Sequence, residues 1–170
     1  MDMINWMYFP KNRSLDDVSN SIVNAFQDVF HEIDSQCHHQ SSDEVLAIVR
    51  KNLETIGFQV EKSKRDKDLI AIPVLYGVNG NVEKSFEADG YLKSKGYVVE
   101  VEAGRAVSNC QFLKDFFEAC TMVGVDKLCI AVRKTYHKSK DFDKACKFFE
   151  AIYASGRLGI PLSGLLIIGY

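Results

Sequence analysis

The sequence predicts an α/β fold in which helices flank a mixed central β-sheet. Two helical segments open the chain, three β-rich runs follow, and the remainder alternates helix, strand, helix and strand. This alternation of apolar periods is typical of layered α/β domains. The length of 170 residues fits one domain covering 1–170, and a hydrophobic fraction of 46% is enough for a core.

The first two helices are predicted by apolar spacing and by their ends. Apolar residues recur at three- and four-residue steps over 15–33, and Ser14 precedes them as a candidate N-cap. Ser42 or Ser41 caps the second helix, and Glu44 follows Ser41 at the spacing of a capping box. Gly57 is the expected end of that helix.

The β-rich runs predict an antiparallel meander. A short strand at 58–61 and a polar loop at 62–68 precede them. Pro73 in the first run favours an edge strand or a bulge, and Asn79-Gly80 is a strong signal for a tight turn. The three runs cover 69–76, 83–92 and 97–102.

After residue 104 the apolar period becomes helical again. The spacing predicts a helix over 107–123, and the continuous apolar run 128–132 predicts a strand that is buried on both faces. Asp141 is the expected cap of a further helix, which Gly156 ends. The apolar run 165–168 is the predicted last strand.

The charge of the chain is small but unevenly distributed. A formal net charge of −2 argues against a polybasic nucleic-acid binder. Residues 1–92 carry a net charge of −6, residues 93–157 carry +4, and residues 158–170 carry none. The asymmetry fits either an acidic and a basic face or ordinary solvated helix surfaces.

We expect a cytoplasmic protein that has no membrane partner. No apolar run reaches the ~18–20 residues of a membrane helix, and the first residues do not resemble a signal peptide. The five cysteines are odd in number and none has CxxC spacing, which disfavours disulfides or a cysteine-based zinc site. His31, Cys37, His38 and His39 match no zinc spacing, so a polar helix end and loop is preferred.

Three carboxylates in the predicted meander are the strongest candidates for a functional site. Glu100 and Glu102 share one face of a strand because side chains alternate, and Asp89 on the preceding strand can reach the same end. Converging carboxylates repel one another unless a cation binds between them, and oxygen ligands favour Mg²⁺ or Mn²⁺. The alternative is an amphipathic strand with an exposed acidic face.

This order of elements and these acids resemble the PD-(D/E)xK nuclease superfamily, which has a restriction-endonuclease-like three-layer core. In that family an acidic residue lies on the second meander strand and a (D/E)-x-K motif lies on the third. Asp89 and Glu100-Val101-Glu102 fall in those places, and the resemblance covers about residues 42–132. It implies a metal-dependent endonuclease that hydrolyses phosphodiester bonds of DNA.

The resemblance also implies roles for these residues. Asp89, Glu100 and Glu102 would be catalytic, and Asp89, Glu100 and the Val101 carbonyl would hold Mg²⁺ or Mn²⁺. Glu102 would orient a water, act as general base or contact a second ion. Glu102 stands where the family has lysine, and Ala88 where it has proline. A catalytically inactive module that binds DNA or a protein partner is the alternative function.

Other residues are predicted to support such a site. A helical glutamate often joins it in the family, for which Glu44 and Glu54 are the candidates. A helix N-terminus beside an arginine suits phosphate, and the basic run 133–140 is either a DNA-tracking loop or an exposed polar loop. The aromatic helix and apolar tail after residue 141 are either core or a homodimer interface. The candidate nucleic-acid-binding residues are Arg105, Asn109, Arg133, Lys134, Tyr136 and Lys138.

Overall fold

The structure, a computed structural model, describes residues 3–63, 65–104, 106–107 and 109–170, without the side chain of Asp66. It confirms the predicted α/β class, with a mixed sheet between helices. The strands are β1 (Asn5–Phe9), β2 (Gln59–Val60), β3 (Ile70–Tyr76), β4 (Val82–Ala88), β5 (Gly90–Leu92), β6 (Tyr97–Glu102), β7 (Lys127–Val132) and β8 (Gly164–Gly169). The helices are α1 (Asp17–Asp28), α2 (Phe30–Ile33), α3 (Ser42–Ile56), α4 (Gln111–Thr121) and α5 (Asp141–Ser155).

The six-stranded sheet has the order β1-β8-β7-β6-β5-β2. Strands β6, β7 and β8 are parallel, whereas β1 at one edge and β5 and β2 at the other are antiparallel to their neighbours. The parallel strands therefore end together, with Glu102, Val132 and Gly169 in register at one edge of the sheet. Ligands of open α/β sheets bind outside this carboxyl edge.

Helices cover both faces of the sheet, as expected for a three-layer arrangement. Side chains of α1, α2 and α3 fill the first core with Tyr97, Val99 and Val101 of β6. Side chains of α4, α5, β3 and β4 fill the second core with Val98. An aromatic cluster around Phe149 lies in this second core, and such rings bury enough surface to contribute about 1.5–3 kcal/mol each.

Helix α3 is confirmed, and the helix before it begins later than predicted. Ser41 caps α3 in a capping box with Glu44, and Gly57 ends it at a φ of 111°. The N-cap of α1 is Asp16 rather than Ser14, because the Asp16 carboxylate accepts the Ser19 N–H at 3.0 Å. The predicted helix over 15–33 is also divided at residue 29 into α1 and α2.

The predicted meander is wrong in its first strand. β3 and β4 form a separate two-stranded sheet, so the meander of the main sheet consists of β2, β5 and β6. The predicted run 83–92 is broken at Asp89, where the chain passes from the small sheet to the large one. Bulges around Pro73 and Leu75 make the β3–β4 pairing irregular.

Three boundaries or elements in the rest of the chain also differ from prediction. α4 begins at Gln111, because Cys110 has a φ of 55° and ends a turn rather than continuing a helix. Asp141 is the first residue of α5 and accepts a hydrogen bond from the Ser139 hydroxyl, while Lys140 is the N-cap. Strand β1 was not predicted from the sequence. Within the described ranges, none of the helices is long and apolar enough to cross a membrane.

Candidate acidic site at the carboxyl end of strand β6

Strand β6 places Glu100 and Glu102 on the face of the sheet that α4 covers. Val99 and Val101 belong to the first core on the opposite face, and Val98 belongs to the second core with α4. Strand alternation therefore directs both glutamates toward α4. The sequence predicted their shared face, but not that α4 covers it. The valines fix this orientation because a register slip would bury the carboxylates in the first core.

Asp89 lies opposite Glu100 at the junction between β4 and β5. Its Oδ2 accepts the backbone N–H of Val101 at 2.9 Å, so the side chain replaces a backbone group in the β5–β6 pairing. The Asp89 carbonyl accepts the N–H of Glu61 at 2.8 Å, which ties the junction to the end of β2. The structure thus brings Asp89 and Glu100 together. Asp89 contacts the N–H of Val101, whereas the resemblance had implied a role for the Val101 carbonyl.

Asp115 of α4 is a fourth carboxyl group at this site, and sequence reasoning missed it. It is only 7% exposed and lies on the buried face of α4 with Phe112, Phe116 and Ala119. Its Oδ2 is buried and has no hydrogen-bond partner within the described part of the chain. The helical spacing contained a signal, because an aspartate beside Phe112 and Phe116 falls on the apolar stripe.

Burial and mutual repulsion raise the pKa values of two of these carboxyl groups. Burial, the charge of Glu102 and a hydrogen bond with Glu102 raise the pKa of Asp115 from 3.8 to about 8. Burial raises the pKa of Glu100 well above its ordinary value, and the charges of Asp89 and Asp115 add to this effect. The backbone N–H of Asp89 acts in the opposite direction. Asp115 therefore retains a proton near neutral pH, and the cluster carries less than its full negative charge.

The donor chemistry of the cluster suits a hard divalent cation. Its side chains offer only carboxylate oxygens, and one of these is Asp115 Oδ2, which has no hydrogen-bond partner among the described residues. Binding of a cation would release the proton that Asp115 retains. In the described residues, however, no three His, Cys, Asp or Glu side chains stand in a preformed metal-binding arrangement. A cation would therefore require the carboxylates to change rotamers, beginning with Asp89, which is bonded to Val101.

The two helical glutamates lie in different surroundings. The Glu44 carboxylate accepts hydrogen bonds from the Ser41 N–H at 2.7 Å and the Ser41 hydroxyl at 2.9 Å, which lower its pKa. Glu54 is exposed near the end of α3. The Glu44 carboxylate therefore caps the start of α3.

The described members of the predicted nucleic-acid-binding set lie in different surroundings. Arg105 lies outside the described residues. Asn109 is exposed in the turn before α4 rather than on its first turn, which corrects the predicted helix start. Lys134 lies over the Phe30 ring, 4.4 Å from its centroid, and donates to the Met3 carbonyl.

The remaining members of the basic run lie in a tight turn after β7. Tyr136 and Ser139 exchange backbone hydrogen bonds of 2.8 Å, and Lys138 is exposed at the tip. Arg133 is 7% exposed, and its guanidinium lies 5.3 Å from the centroid of the Tyr136 ring. Arg133 and Tyr136 thus belong to a packed structure, whereas Lys138 is exposed at the tip of the turn.

Comparison of the sequence with protein-family models and with curated proteins finds no match. The resemblance to the PD-(D/E)xK superfamily therefore stays a prediction.

Proposed function

We propose that this protein is a metal-dependent endonuclease that hydrolyses DNA phosphodiester bonds, with a divalent cation held by the acidic site. The observation that supports this most is the gathering of Asp89, Glu100, Glu102 and Asp115 at the carboxyl edge of the sheet. Buried carboxyl groups with raised pKa values are costly to a fold and cluster at functional sites. Asp89 lies immediately before the second strand of the β2–β5–β6 meander, and Glu100 and Glu102 lie on its third strand, which agrees with the resemblance.

The proposed ligands are Asp89 and Glu100, with the Val101 carbonyl as a backbone donor. When bound, Mg²⁺ or Mn²⁺ would lower the pKa of a water and stabilise the charge that develops on the phosphate. Glu102 would orient this water and accept its proton. Asp115 lies beside Glu102 and, after cation binding has released its retained proton, would be able to share the proton that Glu102 accepts.

A binding-only module is the second candidate function. It is favoured by Glu102, which occupies the position where the resemblance expects a lysine, and by the lack of a preformed metal arrangement among the described residues. Such a module would bind DNA or a protein partner without cleaving a bond. The two candidates differ in one measurable respect, which is hydrolysis at saturating metal.

Metal binding and DNA nicking test the proposal together. Titration calorimetry with Mn²⁺ and nicking of supercoiled plasmid are measured for the wild type, Asp89→Asn and Glu100→Gln. Glu87→Gln is the matched control, because Glu87 is an exposed acid on β4 two residues before Asp89. We expect both activities to be lost in the two site variants and kept in the control.

The possible outcomes separate the two functions. Metal binding without nicking in the wild type would favour the binding-only module. Absence of heat at millimolar Mn²⁺ in the wild type would refute the metal site itself. Nicking that survives both Asp89→Asn and Glu100→Gln would place the catalytic residues elsewhere.

A further inference from the structure

A pocket lies beside the acidic site, around the same carboxyl edge of the sheet. Its volume is about 480 Å³, and its walls come from the loop before α3, Ala103 after β6, and the turn after β7. A neighbouring cavity of about 270 Å³ shares His39, Arg133, Tyr136 and His137 with it. Ala103 follows Glu102 directly in the chain. Because Glu102 faces α4 and the pocket is lined by the start of α3, the pocket and the acidic site share one edge of the sheet but lie on opposite faces.

Arg133 is a buried cation whose charge the described residues leave uncompensated. Its Nη2 donates to the Gln40 carbonyl. Burial raises the pKa of the Tyr170 hydroxyl, and the charge of Arg133 lies close enough to act against this effect. Among the described side chains, no Asp or Glu forms a salt bridge with it. A guanidinium has five N–H donors, so at least half of its hydrogen-bonding capacity is left for another group.

A buried charge without a counter-ion is expensive, so an anion would stabilise this arrangement. Planar guanidinium groups bind phosphate through two parallel hydrogen bonds. His39 and His137 are exposed and line both cavities, where their ring N–H groups are available as further donors. Glu44 also lines the larger pocket, but its carboxylate is held at the start of α3 by Ser41.

The pocket is connected to the acidic site by direct contacts. The Tyr170 hydroxyl, which lies near the charge of Arg133, donates to the Glu102 carbonyl at 3.1 Å. The Tyr136 ring packs against Gly104, so closely that a Cβ at that position would lie 3.1 Å from it. A chain of bonded and packed residues therefore holds Arg133 at a fixed place relative to the end of β6.

We infer that this pocket binds a phosphate group through Arg133, with His39 and His137 as secondary donors. In the wild type this phosphate would be the one that flanks the hydrolysed bond, a role that rests on the proposed function. Binding of the phosphate group itself does not depend on hydrolysis or on a metal ion. The same chemistry would also accept free phosphate or the terminal phosphate of an oligonucleotide.

The first experiment measures binding of inorganic phosphate in the presence of EDTA. Calorimetry and thermal shift are recorded against chloride at matched ionic strength for the wild type, Arg133→Gln and the double variant His39→Gln/His137→Gln. Lys51→Gln is the control, because it removes an exposed positive charge from α3, whose start lines the pocket, but does not itself line either cavity. Loss of a bidentate arginine contact should weaken phosphate binding about tenfold to hundredfold.

The double variant keeps the test valid if Arg133→Gln fails to fold, because His39 and His137 are exposed. We expect it to weaken binding about threefold to tenfold, and Lys51→Gln to change binding less than twofold. Absence of phosphate binding by the wild type, or equal binding by the folded wild type, Arg133→Gln and double variants, would overturn the inference.

The second experiment separates the source of the phosphate. Fluorescence anisotropy compares a short single-stranded DNA with and without a 5′-phosphate. A preference for the 5′-phosphate that Arg133→Gln abolishes identifies a terminal phosphate, and equal Arg133-dependent binding of both identifies an internal phosphodiester. Asp89→Asn is expected to lose nicking and keep phosphate binding, so failure of the nuclease proposal is distinguishable from failure of this one.

Discussion

The pH dependence of stability should change when Asp115 is replaced by asparagine. The native state holds a proton on Asp115 up to a pKa of about 8, whereas the ordinary value is 3.8. The stability that this group contributes is therefore fully present below about pH 4 and is lost as the pH rises toward 8. Asparagine cannot ionise, and its amide can replace the carboxylic O–H as a donor to Glu102.

The expected size of the effect follows from the linkage relation. One extra proton in the native state lowers the free energy of unfolding by about 1.4 kcal/mol for each pH unit. Between pH 5 and pH 8 this amounts to a ceiling of about 4 kcal/mol, against a total of roughly 5–15 kcal/mol for a domain. Because Asp115 shares its proton with Glu102, we expect about 2–4 kcal/mol.

Urea unfolding between pH 5 and pH 8, in EDTA at constant ionic strength, measures the effect. The wild type should become steadily less stable relative to Asp115→Asn as the pH rises. Asp17→Asn is the control, because Asp17 is an exposed helical acid and should leave the curve within about 0.5 kcal/mol of wild type. Parallel curves for the wild type and Asp115→Asn would refute the assignment of a retained proton to Asp115.

Three further predictions concern metal binding and local structure. Saturating Mn²⁺, at about 100 times its Kd, should raise the free energy of unfolding at pH 8 by about 3 kcal/mol. This gain should disappear in Glu100→Gln, and an equal gain in that variant would contradict the proposed metal site. Ser41→Ala should cost about 1–2 kcal/mol in urea unfolding because it removes the capping box of α3, and an unchanged midpoint would count against that cap. Gly96→Ala should cost more than about 2 kcal/mol, because φ is 58° and the new Cβ would lie 2.3 Å from the Gly124 carbonyl oxygen. Gly80→Ala, with positive φ but open space, should cost only about 1 kcal/mol, and equal losses would mean that the clash is relieved.

The sequence predicted best those elements whose signals are local. The capping box from Ser41 to Glu44 and the alternation along β6 are both fixed by residues within one short segment. The α/β class could be inferred from the order of such segments. The shared face of Glu100 and Glu102 could be inferred for the same reason, because strand alternation is a local property.

Pairing between distant segments could not be predicted in the same way. The run 83–92 was predicted as one strand, and only the partners β3 and β6 reveal that it serves two sheets. Asp115 joins the site because α4 crosses the face of β6, a packing relation that helical periodicity does not specify. The environment of Arg133 is equally nonlocal, since Gln40 and Tyr170 come from opposite parts of the chain.

The alternation of side chains along β6 also determines which changes in chain length the site would tolerate. An insertion of one residue within this strand would turn Glu100 or Glu102 into the first core and a valine toward α4. An insertion of two residues would restore the original facing, although it would displace the pairing with β7. We therefore expect insertions and deletions between residues 97 and 102 to be more harmful than most single substitutions there, with odd-numbered changes the most damaging.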